Sequence, residues 1–370
     1  MNIDPKIKKN FGFGCMRLPV QDGQVDNAEL TRMVDTFLEA GFNYFDTAHG
    51  YLDGKSEIAL RECLTSRHPR ESYVLTNKLS THHFKTVEDI RPLFESQLDI
   101  CGVEYFDFYL MHAQNKERFA KFKACRAYEI ALELKAEGKI HHVGISFHDT
   151  AETLDEILTE YPQIEVVQIQ FNYLDFEDLS VQSRKCYEVC RKHGKAVIVM
   201  EPVKGGNLVN LPPDAQKIFD ALEGGSNASY AIRFAAGFEG MMMVLSGMSN
   251  LEQMQDNLSF MQNFRPLDNR ELEAVDQVRK ILRSMDLIAC TGCRYCTEVC
   301  PVGIAIPDLF ACMNTKKKFN VGIGYYPVYT RNAKPADCLK CGRCEALCPQ
   351  NLPIRQLLVD VAEEFEAKTK

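Results

Sequence analysis

The sequence predicts an α/β protein, a (β/α)8 (TIM) barrel followed by a small cysteine-rich domain. Through about residue 265, eight apolar, strand-like runs alternate with helix-like segments and are joined by short connections. Such a barrel needs about 250 residues, and this chain of 370 has room for it and for a second domain. After residue 289 the pattern changes, because eight cysteines occur in two closely spaced blocks. We therefore expect a barrel over residues 1–283 and a second domain over residues 284–370.

The predicted strands are, in chain order, FGFGCMRLP, FNYFD, YVLTNK, FDFYLMH, HHVGIS, VVQIQFN, KAVIVM and MMMVLSG. Amphipathic stretches such as AELTRMVDTFLEAG lie between them, and Gly102 is a plausible stop for the helix that precedes it. A doubly wound open sheet is the competing architecture. It usually carries a glycine-rich phosphate loop after its first strand, whereas the first strand here runs into Pro19. The barrel is therefore preferred.

Composition narrows the class of protein. Hydrophobic residues make up 45% and charged residues 25% of the chain, as in globular proteins. The net charge of −8 argues against a nucleic-acid partner. No apolar segment follows the first lysines, and no run approaches the roughly 18 apolar residues of a membrane span, so we expect a cytoplasmic protein without a membrane partner.

Four residue types suited to proton transfer stand at or after the ends of neighbouring strands. Asp46 ends the second strand, Tyr51 follows it, Lys78 ends the third and His112 ends the fourth. Barrel enzymes carry their chemistry at the carboxyl ends of the strands, so these side chains are expected at one mouth. Each alone could be a strand-end cap, a surface group or a satisfied core residue. Their order and register favour a shared site.

At these residues the sequence resembles the aldo-keto reductases, from about Phe11 to Asn263. The resemblance implies reduction of an aldehyde or ketone, or the reverse, with NADPH or NADH. A carbonyl that accepts hydride needs a proton donor at oxygen, the role of Tyr51. Lys78 is expected to lower the pKa of Tyr51 while Asp46 holds the lysine, and neutral His112 orients the carbonyl.

The resemblance also implies a nucleotide groove. Its motifs match VGISFHD, the strand-six glutamine and LSGMSNLEQMQDNL, where helix amino-terminal amides suit phosphate. The expected contacts are Ser146, Gln168, Gly247, Ser249, Gln253 and Asn257.

Some positions depart from the family pattern. Phe147 replaces an asparagine, and Met200 stands where an aromatic residue stacks on the nicotinamide. Gly247 and Gln253 replace basic residues that many members use for the 2′-phosphate, which leaves NAD and NADP open.

Both cysteine blocks, CTGCRYCTEVCP and CLKCGRCEALCP, read C-x2-C-x2-C-x3-C-P. They resemble bacterial two-cluster ferredoxins over about residues 285–353, which implies a small α+β ferredoxin-like domain. Zinc is the alternative, but it prefers C-x2-C pairs, and a disulfide framework does not suit a long chain without a leader. In those ferredoxins the fourth cysteine of each block ligates the other [4Fe–4S] cluster. The expected ligand sets are Cys290, Cys293, Cys296 and Cys348, and Cys338, Cys341, Cys344 and Cys300.

The stretch between the blocks is basic. Seven Lys or Arg residues and one acid lie between Lys316 and Arg343. This is either a solvated loop or a docking face for an acidic electron carrier, a ferredoxin or flavodoxin, and Lys316, Lys317 and Lys318 are its expected centre.

Hydride chemistry moves two electrons and a cluster moves one, so coupling them implies a flavin, supplied through a partner. The alternative function is an electron-transfer subunit whose barrel is a scaffold or a docking domain for a flavin partner.

Overall fold

A closed barrel of eight parallel strands forms the first part of the computed structural model, which describes residues 3–222, 224–322 and 324–366. Each strand pairs in parallel with its two neighbours, and the eighth returns to the first. The predicted barrel is therefore confirmed. The strands are β1 (Phe11–Gly14), β2 (Tyr44–Asp46), β3 (Val74–Leu79), β4 (Phe106–Gln114), β5 (Ile140–Phe147), β6 (Val166–Gln170), β7 (Ala196–Met200) and β8 (Met241–Ser246). A short hairpin, Val20–Gln21 with Gln24–Val25, follows β1.

Helices connect consecutive strands, as the alternating pattern predicts. The first begins where the Asp26 carboxylate accepts hydrogen bonds from two backbone amides, and it buries one apolar face. Gly102 ends the helix before β4 with φ of +66°, the conformation expected of a glycine stop. The helices of this part are Asn27–Glu39, Lys55–Leu60, Ile90–Cys101, Lys116–Ala124, Ala127–Ala136, Ala151–Glu160, Ser183–Lys192, Asn227–Ala236 and Leu251–Met261.

Apolar side chains fill the space inside the strands. Gly144 lies where this packing is tightest, because a Cβ atom there would be 2.5 Å from the side chain of Val166 and 2.7 Å from that of Leu110. Polar side chains are nevertheless buried toward the carboxyl ends of the strands, among them Asp46 and Lys78. Buried polar groups need partners, which makes this end of the barrel the place to examine.

Contacts divide the chain into two compact units. One comprises the chain up to Pro202 together with Ala228–Leu267, and the other comprises Val203–Asn227 together with the chain from Asp268 onward. The boundary predicted at residue 283 differs from this division, because the segment after β7 and the helix Asn269–Ser284 group with the second unit. That residues 1–283 and 284–370 are separate domains stays a prediction.

The second unit is helical. Its core includes Ile304, Phe310, Leu358 and Val361. The sequence predicted an α+β domain here, but the described residues of this unit contain no strand, because helices begin soon after each cysteine block. None of the helices within the described ranges has the length and apolar character needed to cross a bilayer. Those of the second unit are Pro213–Asp220, Asn269–Ser284, Tyr295–Glu298, Ile306–Phe319, Tyr326–Tyr329, Arg343–Leu347 and Ile354–Glu366.

Candidate functional site

A buried ion pair joins the ends of β2 and β3. Lys78 Nζ donates to Asp46 Oδ1 over 2.6 Å and to the backbone oxygen of Thr47 over 2.7 Å. It also donates to the Tyr51 hydroxyl over 3.3 Å. Lys78 has no exposed surface, so its charge interacts with these groups rather than with water. The structure thus brings three of the predicted residues together around one ammonium group.

His112 lies beside this group. Its ring centroid is 5.9 Å from that of Tyr51, and the two rings are inclined at 75°. Its Nδ1 is 2.6 Å from the Ser80 hydroxyl, which can donate to it and leave the proton on Nε2. All four residues of the predicted tetrad therefore meet at the carboxyl ends of neighbouring strands.

Burial dominates the electrostatics of the group. It raises the pKa of the Asp46 carboxyl and lowers that of the Lys78 ammonium, while their mutual attraction opposes both shifts. Burial and then the Asp46 charge raise the pKa of Tyr51 well above its usual range. The expectation that Lys78 lowers this pKa is therefore wrong for this arrangement. Burial and then Lys78 lower the pKa of His112 well below its usual range, so its imidazole is neutral.

Two predicted nicotinamide contacts adjoin the tetrad. Ser146 on β5 and Gln168 on β6 are paired in register, and both are buried. Gln168 Nε2 donates to Asp46 Oδ2 over 3.1 Å, and Ser146 Oγ accepts from the backbone amide of Ala113 over 2.7 Å. Both polar groups already have partners within the protein.

The predicted phosphate contacts lie after β8. Asn250 caps the following helix, and Gln253 Oε1 accepts from the backbone amide of Ser249 over 2.8 Å. Asn257 is buried one turn further on and donates to Ser246 Oγ over 2.9 Å, so it anchors the helix to β8.

Sequence reasoning missed Arg17 at this place. The backbone oxygen of Arg17 accepts from Ser249 Oγ over 2.9 Å, and a Cβ atom on Gly247 would lie 3.3 Å from the Arg17 side chain. The guanidinium also pairs with Glu201 over 3.3 Å. Arg17 lies in a short 3-10 turn after β1, far from Gly247 in sequence, so no local motif could identify it.

In the second unit, the eight clustered cysteines surround two separate spaces. Three cysteines of one block and the last cysteine of the other line each space. The sets are Cys290, Cys293, Cys296 and Cys348, and Cys300, Cys338, Cys341 and Cys344. They coincide with the predicted ligand sets, whose role in holding a cluster stays a prediction.

The backbone repeats with an offset of 48 residues, which carries Cys290 onto Cys338. Gly292 and its equivalent Lys340 both have positive φ, as do Arg294 and Gly342. The amide of Gly292 donates to Cys290 Sγ, and that of Lys340 donates to Cys338 Sγ, each over 3.4 Å. Amide donors to sulfur favour thiolates, so both halves offer the same ligand geometry.

The donor chemistry fits iron–sulfur clusters. Burial and then the neighbouring Cys293, Cys290 and Cys348 raise the pKa of Cys296 to about 12, so these thiolates need a compensating cation. The described residues that line the two spaces include no carboxylate and no imidazole. The spaces have about 330 Å³ and 340 Å³ of empty volume, part of it open to solvent.

Comparison with known families agrees with this division of chemistry. Residues 10–280 match the model of the aldo/keto reductase family. Residues 289–352 match the model of a 4Fe-4S dicluster domain.

Among curated relatives, an NADH-specific methylglyoxal reductase from Escherichia coli is 30% identical over 208 residues, which is 50% of this chain and 61% of the relative. A 9,11-endoperoxide prostaglandin H2 reductase from Trypanosoma cruzi is 27% identical over 197 residues, 53% of this chain and 62% of that protein. The chain thus spans about three fifths of the length of these two relatives.

Solved structures show the same fold at low identity. The holo form of an aldo-keto reductase from Bacillus halodurans has a TM-score of 0.59 at 23% identity and covers 73% of this chain and 91% of its own. An aldo-keto reductase from Klebsiella pneumoniae in complex with NADPH has a TM-score of 0.60 at 18% identity and covers 74% and 95%.

Proposed function

The chain belongs to the aldo/keto reductase family, and on this premise we propose that it reduces an aldehyde or ketone, or catalyses the reverse oxidation. The proposed catalytic residues are Asp46, Tyr51, Lys78 and His112, with NADPH or NADH as the reductant. The observation that best supports this is the Lys78 ammonium, which contacts both the Asp46 carboxylate and the Tyr51 hydroxyl.

Tyr51 is the proposed proton donor. Its raised pKa keeps the phenol protonated at neutral pH, which is the form needed to protonate a carbonyl oxygen that has gained negative charge. Once the proton has left, the Lys78 ammonium 3.3 Å away stabilises the phenolate. Asp46 keeps that ammonium in place.

His112 is the proposed orienting group. With Ser80 donating to Nδ1, Nε2 carries a proton and can donate to the carbonyl oxygen. Its lowered pKa makes His112 a neutral donor rather than a competing acid. A nicotinamide bound beside Ser146 and Gln168 supplies the hydride.

The choice of nucleotide remains between NADPH and NADH. Gly247 and Gln253 carry no charge for a 2′-phosphate, whereas the side chain of Arg17 lies against Gly247. We propose that Arg17, Ser249 and the amino end of the helix Leu251–Met261 hold the phosphates.

For the second unit, which matches a 4Fe-4S dicluster domain, we propose two [4Fe–4S] clusters held by the two cysteine sets. Because each cluster transfers one electron, we further propose an acidic one-electron carrier, a ferredoxin or flavodoxin, as partner, with a flavin in a partner joining one- and two-electron steps.

A second candidate function is an electron-transfer subunit with an inactive barrel. It is favoured by Ser146 and Gln168, whose polar groups already have partners, and by buried Phe147, which offers no amide.

Anaerobic titration of cluster-reconstituted protein with NADPH and NADH separates the two candidates. The reductase predicts saturable binding of at least one nucleotide and its oxidation when an aldehyde is added. If neither nucleotide binds to protein whose cluster absorbance is intact, the electron-transfer subunit is favoured instead. Iron and sulfide are measured in the same sample as the control.

A further inference from the structure

The two halves of the 48-residue repeat differ sharply in exposure at one equivalent position. Thr291, next to Cys290, is only 3% exposed, whereas its equivalent Leu339, next to Cys338, is 68% exposed. Thr291 is covered by Gly205, whose φ is +61° and where a Cβ atom would lie 2.1 Å from the Thr291 oxygen. Only glycine fits this approach, so the cover over Thr291 is specified by the sequence.

The segment 203–210 makes further contacts on the same side. Asn207 Nδ2 donates to the backbone oxygen of Cys290 over 2.9 Å. The buried Lys318 Nζ donates to the backbone oxygens of Asn207 and Asn210 over 3.1 and 2.9 Å, and so ties the segment to the helix Ile306–Phe319. The Cys290 half of the repeat is therefore enclosed by protein.

The Cys338 half is open. Cys341 is exposed, unlike the other seven clustered cysteines. Lys340 and Arg343 are exposed beside it, and within the described ranges neither forms an ion pair. We call Leu339, Lys340, Cys341 and Arg343 the Leu339 patch. It combines an apolar side chain, two free positive charges and an exposed candidate ligand.

The lysines expected from sequence to centre a docking face do not form one. Lys316 pairs with Glu364, and Lys317 donates to the backbone oxygen of Asp286 over 2.6 Å. Lys318 is only 7% exposed and is occupied by backbone oxygens. Three consecutive positive charges in the sequence are thus used inside the second unit, and the accessible charge lies at the Leu339 patch.

We propose that the cluster held by Cys300, Cys338, Cys341 and Cys344 is the one that exchanges electrons with an acidic one-electron carrier protein docked on the Leu339 patch. This rests on the proposed function, which supplies the clusters. One electron leaves the reduced carrier and enters the cluster, and no bond forms or breaks. Positive charge steers an acidic partner, and Leu339 gives the encounter an apolar contact next to an exposed ligand. The enclosed Cys290 half lacks both features.

The test uses the full-length, reconstituted protein and stopped-flow bleaching of cluster absorbance by a reduced acidic ferredoxin. The double variant Lys340→Glu, Arg343→Glu is expected to lower the second-order rate at low ionic strength by about tenfold or more, and the difference shrinks at high salt because the charges are screened. With reduced methyl viologen, a cationic reductant, the rate is expected to stay equal or to rise.

The matched control is Lys217→Glu, Lys280→Glu, which makes the same charge change at two exposed lysines of the second unit. An equal fall in this control, or no fall in the patch variant, overturns the proposal. If the double variant binds less iron than the wild type, Lys340→Glu alone carries the test. A wild-type protein that takes up no iron contradicts the proposed clusters themselves, a failure that iron analysis distinguishes from a failure of docking.

Discussion

Replacing Tyr51 by phenylalanine is expected to lower kcat for nucleotide-dependent carbonyl reduction about 10³-fold, within the range for loss of a general acid. The phenol is the acidic group that contacts the Lys78 ammonium, so its removal leaves no proton donor for the carbonyl oxygen. Steady-state oxidation of the nucleotide with an aldehyde substrate measures the effect. Iron content and cluster absorbance should not change.

Tyr109→Phe is the matched control. Tyr109 is buried, packs against Phe94 and donates to Gln97 over 2.6 Å, away from the tetrad. We expect it to lower stability by about 1 kcal/mol through the lost hydrogen bond and to leave kcat within about twofold. Near-wild-type turnover by Tyr51→Phe would contradict the proposed acid role.

Pairs of cysteine substitutions should reveal which cysteines share a cluster. Cys300→Ala with Cys338→Ala is expected to leave half of the wild-type iron, because both residues line the same space and the other set stays intact. Cys300→Ala with Cys290→Ala is expected to remove nearly all of it, because one ligand is then lost from each set. Iron and sulfide analysis, with electron paramagnetic resonance of the reduced protein, gives the result.

Cys312→Ala serves as the control, since this cysteine lies outside both sets and should keep full iron. Circular dichroism verifies that each variant folds. The opposite result, with half the iron in the Cys290 pair and almost none in the Cys338 pair, would mean that each block holds its own cluster.

The barrel could be predicted because its strands are written as local patterns. Every predicted strand has a counterpart in the structure, and apolar runs such as KAVIVM become fully paired parallel strands. The tetrad positions followed from the same reasoning, since Asp46 and Lys78 stand at the ends of β2 and β3 and parallel strands end on one side. Local sequence was sufficient for both.

Long-range packing explains what sequence reasoning missed. Arg17 reaches Gly247, and Lys318 reaches the backbone of Asn207, across separations that no motif spans. The raised pKa of Tyr51 also depends on burial, which neighbouring residues in the sequence do not reveal. The basic stretch was assigned the wrong centre for the same reason, because ion pairs and burial decide which of its charges stay accessible.

Deuterium transfer tests the central proposal most directly. The reconstituted protein is incubated with an aldehyde and with NADPH or NADH deuterated at the transferable C4 position, and the alcohol is analysed by mass spectrometry. Hydride transfer at the Tyr51 site predicts one deuterium on the carbon that was the carbonyl carbon. An alcohol whose new carbon-bound hydrogen comes from solvent, formed while the nucleotide is consumed, would contradict direct transfer and would assign the reducing electrons to the clusters.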